Sequence, residues 1–257
     1  MKAAGSEPIL VLRNIAKSYG GIAAVRDISF AVETGEVCGV IGPNGAGKST
    51  LFDLISGAAA PSGGAVYFQA ADVSGLPMYR RARRGIARTF QLANTFASLT
   101  VEDNILVGAE DHRRRNLLQA ATHFGAYRRN LAAARARAHA IMEIVGIADL
   151  ARMPAARLTF GQQRLVSLAR ALAGDARLLL LDEPAAGLSA GEVERLCDAI
   201  ARAQQNGATV LIIEHNVKLI MRICAHVIVM HLGEKIGDGT PGEVQNSERV
   251  VEAYLGA

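Results

Sequence analysis

The sequence predicts an α/β fold: a mostly parallel sheet with helices on it, antiparallel strands near the start, and a helical subdomain inserted between two sheet-forming parts. Three observations lead there. Short apolar stretches alternate with helical patterns at both ends of the chain. A glycine-rich turn, "GPNGAGKST", joins one such stretch to a helix. From Met78 to Ala173 the texture changes to arginine and alanine. With 257 residues, half of them apolar, the chain can bury a full core and sits at the upper edge of a single domain.

Taken in order, "ILVLRNIAKSYGGIAAVRDISFAV" alternates loosely on either side of Gly20-Gly21, which reads as antiparallel strands. "EVCGVIG", Glu36 to Gly42, is a short apolar strand, and Lys48 to Ser56 is a helix closed by Gly57. "PSGGAVYF" is a turn and a strand. Helices are expected at Thr100 to Ala109, Asn130 to Val145 and Gln162 to Ala173, with Asp111 to Tyr127 as a surface loop carrying a short helix. Alternation then returns: strand Leu178 to Leu181, helix Ala190 to Asn206, strand Thr209 to Ile213, helix Asn216 to Ala225, strand Val227 to His231. In "GTPGEV" Thr240 is a cap, Pro241 the first helical residue and Glu243 the third, a capping-box pattern.

No apolar run approaches the roughly 18 residues that cross a bilayer, and "MKAAGSEPILVL" lacks the long apolar stretch of a secretory signal. Cys38, Cys197 and Cys224 are scattered and odd in number. They fit neither a disulfide framework nor a zinc motif, which points to a reduced, cytosolic protein. Net charge is +4, unevenly placed: from Arg80 to Arg137 twelve arginines face four acids (Glu102, Asp103, Glu110, Asp111), giving +8 there and −4 in the remainder. The clusters "RRARR", "RRR" (Arg113 to Arg115) and Arg128-Arg129 read as a solvated basic face, a nucleic-acid patch or a contact to anionic lipid. No aromatics interleave them as a single-strand stacking platform needs.

"GPNGAGKST" comprises Gly42, Pro43, Asn44, Gly45, Ala46, Gly47, Lys48, Ser49 and Thr50. It satisfies G-x-x-x-x-G-K-[ST] between a strand and a helix, the loop of a P-loop NTPase. Its glycines let backbone N–H groups turn inward around phosphate oxygens, and the helix behind presents its positive end. Lys48 is expected to reach the β- and γ-phosphates, Ser49 to ligate Mg²⁺, and Thr50 to support the α-phosphate. "LLLLDEP" is the matching acidic strand: Asp182 can hold Mg²⁺ through water, and Glu183 can act as general base on an attacking water. In "LIIEHN" a third strand ends at His215, placed to donate a hydrogen bond to the γ-phosphate.

With these elements in this order, the chain resembles the ATP-binding subunits of ABC transporters over nearly its whole length. The resemblance implies one ABC ATPase domain over 1–257, with a RecA-like core and antiparallel β subdomain at about 1–90 and 174–257, and an α-helical subdomain at about 91–173. It makes Gly42 to Thr50 the Walker A loop, Asp182 and Glu183 the Walker B aspartate and catalytic glutamate, and His215 the switch histidine. Tyr19 in "KSYGG" matches the aromatic that stacks on adenine. Gln91 in "RTFQ" matches the glutamine that senses Mg²⁺ and the γ-phosphate and faces the membrane subunit. Leu158, Thr159, Phe160, Gly161 and Gln162 match the signature usually written LSGGQ, which serves the ATP of a facing subunit. Ser189 in "AAGLS" stands where many relatives carry Asp.

Finer likeness, in "GIARTFQLANTFASLTVEDNILVG", "LDEPAAGLS", "IEHNVKLIM" and "GTPGEV…VEAYLG", is to ATPases of branched-chain amino acid importers. That implies ATP and Mg²⁺ as ligands, a second ABC ATPase subunit, two membrane permeases and a solute-binding protein as partners, no nucleic acid, and a peripheral place on the cytoplasmic face of the inner membrane. The groove flanking Gln91, roughly Leu92 to Leu99, would receive a helix of the membrane subunit. The rival readings are the ATPase of a lipopolysaccharide exporter, a soluble ABC ATPase acting on ribosomes or DNA, and a small-molecule P-loop kinase.

Overall fold

The computed structural model describes the backbone of residues 7–89, 95–109 and 124–255. The chain divides into two compact units. One holds the residues up to Arg88, Arg177–Pro184 and Gln204 onward; the other holds Thr89–Ala176 and Ala185–Ala203.

The first unit contains two sheets. Strands β1 (Pro8–Tyr19) and β2 (Ile22–Glu33) form a hairpin turning at Gly20-Gly21, and β4 (Gly63–Phe68) and β5 (Ala71–Asp72) extend it into an antiparallel sheet ordered β2-β1-β4-β5. The second sheet is built from β3 (Val37–Ile41), β6 (Ile86–Thr89), β7 (Leu178–Asp182), β8 (Thr209–Ile213), β9 (His226–His231) and β10 (Glu234–Gly239). Its order is β10-β9-β3-β8-β7-β6. The central pairs β9-β3, β3-β8 and β8-β7 are parallel, and β10 returns antiparallel on β9. Strands β3, β7 and β8 are buried at every position, as strands covered on both faces must be.

One core joins the sheets through helix α1 (Lys48–Ser56). Phe52, Leu51, Leu54 and Ile55 of α1 pack with Leu10, Leu12, Ile28 and Phe30 of the antiparallel sheet and with Val40, Leu180, Leu211 and Ile228 of the parallel one. Helix α2 (Met78–Ala82) closes this core with an arginine. Fully buried Arg81 donates to the carbonyls of Leu54 (2.5 Å), Ile55 (2.9 Å), Leu76 (2.9 Å) and Ser74 (2.8 Å). It thus satisfies the carbonyl end of α1, where a cation also meets the negative end of the helix dipole. One member of "RRARR" is therefore internal, contrary to its reading as part of a surface patch. Arg113 to Arg115 and the side chains of Arg128 and Arg129 lie outside the described residues.

The second unit is helical: α3 (Val101–Ala109), α4 (Phe124–Val145), α5 (Phe160–Ala173) and the greater part of α6 (Ala190–Gln205). Ile105, Met142, Leu165 and Val166 are among its buried residues. Buried Asn104 accepts from Phe96 N–H (2.8 Å) and donates to the carbonyls of Phe96 and Thr100 (3.1 and 2.9 Å), ordering the approach to α3. Back in the first unit, α7 (Val217–Ile223), α8 (Pro241–Gln245) and α9 (Glu248–Leu255) complete the chain. The Thr240–Glu243 capping box forms as the spacing requires.

Three elements differ from the sequence reading. Helix α4 begins at Phe124 rather than Asn130, since the alanines and arginines around Asn130 are good helix formers. Helix α7 is shorter than expected, because Asn216 is its cap, accepting from Leu219 N–H, and Cys224 is already extended. Strand β6 lies inside the arginine-rich stretch read as helical. It buries Ile86 alone among its four residues, so composition hid it, and Gly85 O anchors it to the chain entering β7 by accepting from Arg177 and Leu178 N–H.

Candidate functional site

The glycine-rich loop leaves β3 at Gly42 and enters α1 at Lys48. Gly47 is the cap of α1 at φ 95, with no side-chain cap bond, so first-turn N–H groups remain at the positive end of the helix. A Cβ at Gly47 would lie 2.3 Å from the Ala24 carbonyl oxygen, so only glycine fits. Gly233 ties the loop to β2: its N–H donates to Ala46 O (3.1 Å), and its carbonyl accepts from Arg26 N–H (2.7 Å). Lys48 is buried and bent back across the loop, donating to the carbonyls of Gly42 (2.7 Å) and Pro43 (3.0 Å). Burial draws its pKa down, while Glu183 and Asp182 work in the other direction. Asn44, Gly45 and Ser49 are exposed, Pro43 and Thr50 part-exposed, and Ala46 buried. Tyr19, at the tip of the β1–β2 hairpin, is half exposed, with the Lys17 ammonium 4.9 Å from its ring centre.

The acids and the histidine stand at adjacent strand ends. Asp182 is the last residue of β7, and Glu183 follows at φ 46. A non-glycine residue there costs about 1–2 kcal/mol. Glu183 N–H holds the conformation by donating to Ile213 O at 2.9 Å. His215 lies just beyond β8, and its Nε2 is 2.7 Å from Glu183 Oε1. The strained backbone thus aims the carboxylate at the imidazole, as expected of a functional outlier.

Two further residues join this group unannounced by any motif. Arg88 of β6 donates to Asp182 Oδ2 (2.8 Å) and Asp53 Oδ1 (2.5 Å). Burial works against its charge, but these two carboxylates outweigh it and raise its pKa. The signal was available: Arg88 follows buried Ile86 by two residues, which puts both on one face of a strand. Tyr254 of α9 brings its phenol to the backbone of Gly42; burial pushes its pKa up to about 12 despite that hydrogen bond. Gln91 lies outside the described residues.

In the helical unit, Thr159 caps α5 in a capping box with Gln162: its hydroxyl accepts from Gln162 N–H (3.2 Å), and its N–H donates to Gln162 Oε1 (2.9 Å). Gln163 donates to Leu158 O (3.3 Å). Leu158 is buried, and Phe160 is exposed with the Arg164 guanidinium 4.7 Å from its ring centre. The carboxylate of Glu192 sits on this turn. Its Oε1 accepts from Thr159 Oγ1 (3.1 Å) and Gly161 N–H (3.2 Å), while Oε2 accepts from the N–H and hydroxyl of Ser189 (3.1 and 2.9 Å). These hydrogen bonds, those of Ser189 first, hold its pKa below the usual carboxylate value. The N–H and hydroxyl donors of this turn thus already hold an internal carboxylate.

Known proteins resemble the chain over nearly its whole length. The family model "ABC transporter" matches residues 25–186, and "Branched-chain amino acid ATP-binding cassette transporter" matches residues 234–257. The chain is 38% identical to the high-affinity branched-chain amino acid transport ATP-binding protein BraF of Pseudomonas aeruginosa, covering 98% of this chain and 99% of that one. It is 34% identical to LivG of Escherichia coli over the same shares. It is also 36% identical to the lipopolysaccharide export ATP-binding protein LptB of Escherichia coli, over 96% and 97%. Among solved structures, an ATP-binding cassette of an ABC transporter in its ADP conformation superposes with a TM-score of 0.82 at 30% identity, covering 98% of this chain and all of that one. With a family model matched over residues 25–186 and likeness across nearly its whole length, the chain belongs to the ATP-binding proteins of the ABC transporter family.

Proposed function

We propose that the chain is the ATP-binding and ATP-hydrolysing subunit of an importer for branched-chain or related amino acids. The observation that carries the solute class is the branched-chain amino acid cassette match at residues 234–257; that segment includes Tyr254, whose phenol meets Gly42 at the start of the phosphate loop. Among the described residues no helix is long and apolar enough to cross a membrane. On its likeness to importer ATP-binding proteins, the chain in this proposal works at the cytoplasmic face, beneath two permeases, with a solute-binding protein outside and a second ATPase subunit beside it. The test is to reconstitute it with its permeases and binding protein in liposomes. ATP turnover should rise when leucine, isoleucine or valine is supplied with the binding protein, and a rate indifferent to all three overturns the solute class.

Within that reading, Lys48 and the first-turn N–H groups of α1 hold the β- and γ-phosphates of ATP, and Tyr19 stacks on adenine. The hydroxyl of Ser49 and the carboxylate of Asp182 are an all-oxygen donor set of the kind Mg²⁺ takes; Gln91 joins them in this proposal. The cation supplies charge neutralisation on the transferring phosphoryl group. Glu183 orients and deprotonates the attacking water, and His215, bonded to Glu183 in the structure, donates to the γ-phosphate. Leu158 to Gln162 and Ser189 serve the nucleotide of a facing subunit, so two half-sites on one chain become active only in a pair.

The Glu192 carboxylate competes with that phosphate, because it takes the Thr159 hydroxyl and Gly161 N–H that a γ-phosphate would use. Glu192→Gln keeps an acceptor for Ser189 and removes the charge. It is expected to tighten ATP-driven pairing of subunits several-fold, measured by sedimentation against ATP concentration. Unchanged or weaker pairing would show that Glu192 only caps α6.

A further inference from the structure

We infer that Glu36, Cys38 and His226 form a binding site for one Zn²⁺ ion, separate from the nucleotide site. Sheet geometry brings the three together. Glu36 immediately precedes β3 and Cys38 is its second residue, and two residues apart along extended chain they share a face. His226 at the start of β9 is the parallel partner of Cys38. Asp238 of β10 pairs with Ile228, two residues along from His226, and faces the same way. His226 Nδ1 lies 3.7 Å from Cys38 Sγ and 3.5 Å from Glu36 Oε1, and the three candidate ligand atoms lie within 4.8 Å of one another. Tetrahedral Zn²⁺ with ordinary Zn–S, Zn–N and Zn–O bonds places its ligand atoms about 3.3–3.6 Å apart. Small side-chain shifts therefore suffice.

The surroundings are those of a metal-bound histidine. Nε2, the nitrogen facing away from the cluster, meets Asp238 Oδ1 at 2.7 Å, and Asp238 is itself held by Lys235 Nζ at 2.5 Å. A carboxylate on the far nitrogen fixes the tautomer that leaves Nδ1 for the metal and raises its basicity. Glu36 Oε1 is oriented by Glu33 N–H at 2.8 Å. Cys38 is buried and closes the inner side, while Glu36 and His226 are part-exposed and give an ion its approach. Zn²⁺ binding displaces the Cys38 thiol proton, as metals do at thiolate ligands. One thiolate, one imidazole and one carboxylate suit Zn²⁺ and not Mg²⁺. The ligands come from strands 188 residues apart, which is why no spacing motif announces them.

The test uses the full chain, stripped with a chelator and titrated with Co²⁺ as the spectroscopic probe, then with Zn²⁺ in competition. One equivalent of Co²⁺ should give a thiolate-to-cobalt charge-transfer band with tetrahedral d–d bands, all erased by one equivalent of Zn²⁺. Cys38→Ser should remove the charge-transfer band, and Asp238→Asn should weaken Zn²⁺ binding about 10–100-fold while leaving the band. Absence of a thiolate band in the parent protein overturns the site even if the Cys38 variant misfolds. Retention of the band in a folded Cys38→Ser protein assigns it to another thiol and overturns the site equally.

Discussion

Glu183→Gln is expected to bind ATP as the parent protein does and to turn it over roughly 10²–10⁴-fold more slowly, the range for a lost general base. Geometry makes this substitution informative. Glu183 sits at φ 46 with its N–H on Ile213 O, and its carboxylate meets His215 Nε2 at 2.7 Å. Glutamine has the same length, the same backbone demands and an oxygen that can still accept from the imidazole. What it lacks is a group that takes a proton from water. Lys48→Ala is the contrasting case. It removes the ammonium that now bridges the Gly42 and Pro43 carbonyls, and with it a charge-assisted bond to phosphate of about 1.5–3 kcal/mol. Nucleotide affinity should then fall about 10–100-fold. Equilibrium binding with a fluorescent ATP analogue, read beside phosphate release, separates the two defects. Wild-type turnover by the Glu183 variant would remove Glu183 from the mechanism.

The parts of this site legible in the sequence share one physical property: each is local. The phosphate loop needs glycines, a lysine and a helix start within nine residues, and all are adjacent in "GPNGAGKST". The Thr240–Glu243 box is a device of four consecutive residues. Glu183 and His215 each end an apolar strand, so two short runs and parallel pairing suffice to place them side by side. What stayed hidden depends on strand order or on chain reversal. Arg88 reaches Asp182 only because β6 and β7 belong to one sheet, although 94 residues separate them. Glu192 meets Gly161 across 31 residues, and Tyr254 meets Gly42 from the far end of the chain. The arginine excess misled in the same way. Charge counting treats Arg80 and Arg81 alike, yet one is exposed and the other caps α1 from inside the core. Composition cannot separate them; only the carbonyls that each meets can.

Arg88→Met should produce the largest loss of stability in the first unit, about 3–5 kcal/mol, the usual cost of removing one partner from a buried ion pair. The side chains of Arg88 and Asp182 are 9% and 10% exposed, so solvent cannot take over for the missing guanidinium, and Asp53 loses its partner at the same time. Methionine keeps much of the length and can still lie near Phe52, whose ring centre is 5.9 Å from the guanidinium carbon. The loss is therefore charge rather than volume. For a chain of this size it corresponds to a fall in Tm of roughly 6–20 °C. Pairing Arg88→Met with Asp182→Asn tests the cause, because an amide at position 182 no longer needs a counter-charge. The double variant should melt above Arg88→Met alone, an interaction that a double-mutant cycle reads directly. If the two losses simply add, Arg88 acts through its bond to Asp53 or its packing on Phe52, and its bond to Asp182 contributes nothing to the fold. If the interaction is found, Arg88 is the residue that orients the Asp182 carboxylate at the end of β7, and β6 is placed in the sheet to deliver it.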